Sequence, residues 1–145
     1  MDAKDLIKKF EGFREKAYKC PADKWTMGYG FTYNPITFLQ IEKGESISKV
    51  DADAWLDIFV SQIKKELYNL FPIQKLNTNQ IEALVSFVFN IGITKFKMSR
   101  MCKRLNENEF ELAAKEFDKW VFVKKVKLAG LVNRRKDEKN LFTQL

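Results

Sequence analysis

A carboxylate, a thiol and a hydroxyl, Glu11, Cys20 and Thr26, are strung along the segment EGFREKAYKCPADKWTMGYGFT, residues 11–32. Glu11 closes an amphipathic helical stretch. Thr26 sits in a Gly-punctuated aromatic run that reads as a strand. The polar, turn-rich segment between them is long enough to fold that strand back to the helix end. The three groups would then surround one cleft. A carboxylic acid on one side of a sugar and a water-holding group on the other are the minimum for glycoside hydrolysis. Glu11 lies at a helix C-terminus, where the dipole disfavours negative charge, a placement that suits a general acid. The plainer alternative is a solvated surface carboxylate. Thr26 is read as holding a water on the face opposite Glu11, against the alternative of an ordinary β-branched strand residue. Cys20 is read as acting by position and partial charge, with Lys19 and Lys24 able to favour its thiolate. Its alternative is a small half-buried filler.

Much other chemistry is excluded. The chain has no histidine, which removes Ser-His-Asp and Cys-His catalysis and every His metal site. The two cysteines, Cys20 and Cys102, are far apart and form no C-x-x-C pattern, so neither a zinc site nor a disulfide framework is expected. No phosphate-binding loop is present, and G-Y-G is not a dinucleotide fingerprint. No metal and no cofactor are expected. There are 26 Lys plus Arg against 19 Asp plus Glu, a net charge of +7. That excess serves solubility or attracts a polyanion, either cell-wall polymer or nucleic acid. The basic residues are scattered through every segment rather than gathered on one recognition face, which argues against nucleic acid. No apolar run reaches the roughly 18 residues of a transmembrane helix. The start, MDAKDLIKKF, reads as neither a signal peptide nor an anchor.

The elements that must position these groups follow from periodicity. Residues 2–11 read as a helix capped by Asp2, with Leu6, Ile7 and Phe10 on one face and Gly12 as the stop. Ala17–Cys20 and Trp25–Tyr33 read as strands joined by Pro21-Ala22-Asp23-Lys24. Ser48 with Asp51 resembles a capping box, and a long helix follows to about Leu70, with Trp55, Phe59, Ile63, Leu67 and Leu70 near one stripe. Asn77 and Gln80 open a helix that is apolar nearly all round and therefore central. Two helices are predicted over 97–106 and 108–122, with Phe110, Ala113, Ala114, Phe117 and Val121 inward. A last helix is predicted over 131–143.

The residues also resemble a family. E-G-x-R-x-x-A-Y-x-[D/C]-x-x-x-x-W-T-x-G-Y-G-H-T is the catalytic signature of phage-type lysozymes, the endolysins of glycoside hydrolase family 24. The chain matches it at Glu11, Gly12, Arg14, Ala17, Tyr18, Cys20, Trp25, Thr26, Gly28, Tyr29, Gly30 and Thr32. IEKGESISKVDADAWL (41–56), ALVSFVFNIG (83–92) and GLVNRRKDEKNLF (130–142) are similar to the family's linker, central helix and closing G-L-x-x-R-R-x-x-E-x-x-L-F helix. Two departures stand out. Cys20 occupies a position where many members carry Asp, and Phe31 replaces the His of G-Y-G-H-T.

The resemblance implies an α+β, mainly helical, lysozyme-like two-lobed fold with a small N-terminal antiparallel β unit and a C-terminal helical lobe. It implies a single domain over 1–145: a β-containing lobe over 13–47, a helical lobe from 1–12 and 72–145, and a connecting helix over 48–71. The implied catalytic residues are Glu11, Cys20 and Thr26. Gly28, Tyr29, Gly30, Phe31, Asn90 and Arg134 are implied to face substrate. For Asn90 a helix-end cap is the alternative, and Arg135 competes with Arg134 for the place beside Glu11. The implied activity is hydrolysis of the β-1,4 bond between N-acetylmuramic acid and N-acetylglucosamine in peptidoglycan, with inversion. The protein would act as a monomer on a glycan strand, without stable membrane insertion, and would wait in the host cytoplasm for a holin to release it to the wall. The rival readings are a non-catalytic wall-binding relative, suggested by Cys20 and Phe31, and a basic nucleic-acid-binding protein.

Overall fold

The computed structural model describes residues 1–72 and 75–144. Residues 73, 74 and 145, within the segment 72–145 assigned above to the helical lobe, lie outside the described residues. Helix α1 spans Ala3–Glu11. Asp2 and Asp5 form a reciprocal capping box, each side chain accepting from the other's backbone N–H at 2.9 and 3.0 Å. Its inward face, Ala3, Leu6 and Ile7, is fully buried. Each such aliphatic side chain contributes about 1.5–3 kcal/mol, which anchors the helix that ends in Glu11. Gly12 stops it, its N–H closing on Lys8 O at 3.1 Å.

Strands β1 (Arg14–Lys19) and β2 (Trp25–Gly28) pair antiparallel, with Tyr18 opposite Thr26 and Lys19 opposite Trp25. Cys20 N donates to Lys24 O at 2.9 Å and Asp23 N to Cys20 O at 2.8 Å, closing the 21–24 turn. The predicted strand over 25–33 is cut short at Gly28. There the chain folds back, and Met27 and Phe31 exchange backbone hydrogen bonds at 3.0 and 2.8 Å. Alternation alone does not reveal a turn set inside an aromatic run.

Helix α2 (Lys49–Leu70) begins at Ser48, whose hydroxyl accepts from Asp51 N at 3.1 Å, and Pro72 follows its end. Leu56, Phe59, Val60 and Leu67 are buried, with Trp55, Ile63 and Leu70 packed beside them. Helix α3 (Thr78–Ile91) opens with the Asn77–Gln80 capping box, both bonds 2.8 Å. It buries an unbroken run from Ala83 to Val88 and packs against α1, α2 and the closing helix α7 (Ala129–Phe142). It is the centre of the fold, as its all-round apolar pattern requires.

The segment between departs from the periodicity reading. The expected helix over 97–106 begins later, as α5 (Arg100–Asn106), because Ser99 caps it through Cys102 N at 3.1 Å, and a short helix α4 (Ile93–Lys97) precedes it. The expected helix over 108–122 ends early as α6 (Phe110–Glu116), followed by a 3-10 turn over Phe117–Lys119. Its inward residues Ala113, Ala114, Phe117 and Val121 are buried as predicted, with Phe110 partly so. A hairpin follows, β3 (Phe122–Val123) and β4 (Val126–Lys127), turning at Lys124 and Lys125 with φ of +49° and +67°. Such turns favour Asn and Gly, so a Lys-Lys pair carries no sequence signal for one.

Candidate active site

Glu11 is carried at the C-terminal end of α1, with its side chain 23% exposed. On one side lies the backbone of Gly30. A Cβ built there would stand 2.6 Å from Glu11 Oε1, so only glycine fits against the carboxylate. On the other side Arg134 Nη1 donates to Glu11 Oε2 at 2.9 Å. That cation supplies a counter-charge at a helix end that otherwise repels an anion.

Arg134 is almost wholly buried and every arm is engaged. Nε donates to Glu138 Oε2 at 3.3 Å, and Nη2 to Ser86 O at 3.1 Å and Ser86 Oγ at 3.5 Å. Ser86 Oγ in turn donates to Glu138 Oε2 at 2.6 Å. Arg135 points the other way from the same carboxylate. It binds Glu138 Oε1 and Asn90 Oδ1 through its two terminal nitrogens and Trp120 O through Nε at 2.9 Å, with its guanidinium 4.9 Å from the Phe87 ring centre. Burial pulls the Arg135 pKa below its ordinary value, opposed by the Glu138 charge beside it. So Arg134, not Arg135, takes the place beside Glu11. Asn90 is held by Arg135 and does not close the helix; Gly92 N does that, on Val88 O at 2.8 Å.

Thr26 is 3% exposed and its hydroxyl donates to Lys24 O at 3.0 Å. Its oxygen keeps lone pairs that can accept a hydrogen bond from a water. Cys20, half-buried at the end of the same turn, has a thiol held below its ordinary range. Burial opposes this, but the neighbouring Thr26 side chain and backbone N–H groups in the turn outweigh it. Thr26 and the backbone of the turn, that of Lys24 included, favour the thiolate, rather than the side-chain charges of Lys19 and Lys24. Tyr18, opposite Thr26, lies close enough to Glu11 to feel its charge. Burial first and the Glu11 carboxylate second raise its pKa, while Arg14, 4.6 Å over its ring, opposes them. Gly30, just beyond the strand that bears Thr26, lies against the Glu11 carboxylate.

Three of the residues expected to face substrate, Gly28, Tyr29 and Phe31, are buried. Phe31 is 1% exposed and stacks on Phe59 at 5.0 Å, with Trp55, Tyr29 and Phe89 around it. It joins the β unit to α2 and α3 as core and cannot line a sugar. Tyr29, at 3%, is turned inward beside Phe13 and Phe31. Gly28 is buried too; a Cβ there would meet the Phe31 ring at 2.6 Å. Gly30 is half-buried, against the Glu11 carboxylate. Sequence reasoning missed Ser86 and Glu138. Their signals were a Ser on an otherwise apolar helix and an acid three and four residues beyond two arginines, one helical turn away.

The phage lysozyme family model matches residues 8–138. This chain belongs to the phage lysozyme family. It is 40% identical over 141 residues to the endolysin of Acyrthosiphon pisum secondary endosymbiont phage 1, covering 94% of this chain and 92% of that protein. It is 36% identical to the endolysin of Bacillus phage B103 over 95% of this chain, spanning 51% of that longer protein. Among solved structures, the muramidase domain of SpmX from Asticaccaulis excentricus superposes with a TM-score of 0.84 at 37% identity, covering 99% of this chain and 95% of that one. An endolysin from Escherichia coli O157:H7 phage FAHEc1 superposes with a TM-score of 0.83 at 30% identity, covering 97% and 90%. The α+β, mainly helical lysozyme fold read from the sequence is the fold observed. As members of this family, the Glu11–Arg134 pair and the β1–β2 turn are the natural place to look for glycosidic chemistry.

Proposed function

We infer that this chain is a peptidoglycan-hydrolysing endolysin that cleaves the β-1,4 bond between N-acetylmuramic acid and N-acetylglucosamine. The observation that carries the reading is the partly exposed Glu11 carboxylate, fixed between Gly30 and a buried arginine. In this reading the glycan strand lies in a cleft between a β-containing lobe (13–47) and a helical lobe (1–12 and 72–145) joined by the helix over 48–71. Glu11 protonates the leaving glycosidic oxygen. Thr26 accepts a hydrogen bond from a water on the opposite sugar face, and the partly negative Cys20 sulfur steadies the developing oxocarbenium charge. No covalent sugar intermediate forms, and the anomeric centre inverts. Asn90 borders the bound strand, while Arg134, expected from the sequence to face substrate, is buried behind Glu11 and holds it. The protein works as a monomer and reaches the wall from the host cytoplasm once a holin opens the membrane. Among the described residues no helix is long and apolar enough to cross a membrane.

Glu11→Gln keeps the shape and removes the proton donor. It should fold normally and lose about 10² to 10⁴ in rate, the usual contribution of a general acid. Mass spectrometry of digested wall should show reducing-end muramic acid from the wild type. A folded Glu11→Gln protein retaining more than about a tenth of wild-type activity removes the general-acid role. Products that are solely 1,6-anhydro sugars would replace hydrolysis with transglycosylation and dismiss the water role of Thr26.

A further inference from the structure

Glu138 is the one wholly buried carboxylate that faces the two inward arginines. Its oxygens are divided between them. Oε2 accepts from Arg134 Nε and Ser86 Oγ, and Oε1 accepts from Arg135. The far ends of the same two guanidiniums reach Glu11 and Asn90. From the geometry we propose that Glu138 is a positioning residue: from beneath the site it orients Arg134 against Glu11 and Arg135 against Asn90, so that one buried anion sets two groups that border the cleft.

The physical case rests on charge and connectivity. A guanidinium is too costly to bury without a partner. Glu11 cannot serve as the sole partner of Arg134, because a general acid is neutral for part of each cycle. Glu138 keeps a carboxylate on Arg134 in either protonation state of Glu11, so the arginine stays held when the proton leaves. Ser86 adds rigidity, since its hydroxyl donates to Glu138 while its carbonyl accepts from Arg134. Arg135 is pinned besides by Trp120 O and the Phe87 ring, so Glu138 is the only side chain that touches both arginines among the described residues.

This rests on Glu11 as the acid, and the experiment separates the two ideas. Initial rates of reducing-end release from purified peptidoglycan are measured for wild type, Glu11→Gln, Glu138→Gln, Glu138→Asp, Ser86→Ala and Glu116→Gln, each well below its own Tm. Glu116 is a control: it is also a buried carboxylate, paired with Lys119 at 2.6 Å, but has no connection to Glu11. Glu138→Gln should lower kcat by tenfold or more with apparent KM changed by less than about threefold. Ser86→Ala, a gentler change, should lower kcat by about two- to fivefold in the same direction. Glu138→Asp should recover part of the loss. Glu116→Gln should lower Tm and leave kcat unchanged. If Ser86→Ala and folded Glu138→Gln keep wild-type kcat while Glu11→Gln is inactive, the positioning role is overturned and the acid stands. It is also overturned if Glu116→Gln loses kcat as Glu138→Gln does, since the effect would then be generic. If Glu138→Gln does not fold, Ser86→Ala alone decides, and an unchanged kcat refutes the proposal. An active Glu11→Gln removes the catalytic reading itself.

Discussion

Gly30→Ala separates the geometry of the site from the stability of the fold. Gly30 has φ +77°, and an added methyl would stand 2.6 Å from Glu11 Oε1 and 2.8 Å from Cδ. Ordinary contact begins at 3.4 Å, so Oε1 must retreat by 3.4 − 2.6 = 0.8 Å. Arg134 cannot follow, because Glu138 and Ser86 fix it from behind. A misplacement near 1 Å at a reacting group costs on the order of 100-fold in rate. The same substitution also costs about 1–2 kcal/mol for a side chain in the left-handed region, roughly 3–8 °C in Tm for a domain of this size. Gly44→Ala provides the comparison. It has φ +90° and nothing within 4 Å of the added Cβ, so it carries the backbone strain without touching Glu11. Both variants should melt earlier by similar amounts, measured by calorimetry. Only Gly30→Ala should lose lysis of permeabilised Gram-negative cells, by about two orders of magnitude. A folded Gly30→Ala enzyme within about threefold of wild type would refute the claim that this glycine places the proposed acid, Glu11.

Cys20→Asp should keep or raise lysis, and Cys20→Ala should lose about tenfold, or ~1.4 kcal/mol of barrier, with Ser between them. Equal rates for Ala and wild type would make Cys20 a packing residue. Because hydrogen bonds to the thiolate outweigh burial at Cys20 while burial raises Cys102, iodoacetamide should label Cys20 with a midpoint below the ordinary 9.0 and Cys102 with one above it. The sign follows from linkage: a depressed pKa means the fold favours the thiolate, and that contribution fades as pH falls through the folded value. The mass-resolved pH profile of labelling checks it, and coincident midpoints would contradict the shift. Phe31→Ala should cost about 3–5 kcal/mol of stability by denaturant titration, as expected for a fully buried aromatic. A loss under about 1 kcal/mol would show that the aromatic cluster repacks.

The local signals in the chain were sufficient wherever a structure is closed by near neighbours. Asp2, Ser48 and Asn77 were read as helix starts because a cap bonds an amide three residues on, and all three do so. The central position of α3 was legible because a helix apolar on every side has nowhere else to go. The Glu11–Thr26 segment and the Arg134-Arg135 pair could be picked out as chemistry in waiting, since residue type and spacing are properties of the chain itself. Tertiary structure decided which way those groups face. The aromatic run 25–33 reads as one strand of alternating faces, but the turn at Gly28–Gly30 turns Tyr29 and Phe31 into the core and leaves Gly30 against Glu11. The choice between Arg134 and Arg135 was likewise open, since adjacent residues on a helix point about 100° apart and only the packing of α7 on α3 sets which one meets α1. Ser86 and Glu138 became visible as partners for the same reason: the bonds that join them cross between helices far apart in sequence, and no local periodicity records such a crossing.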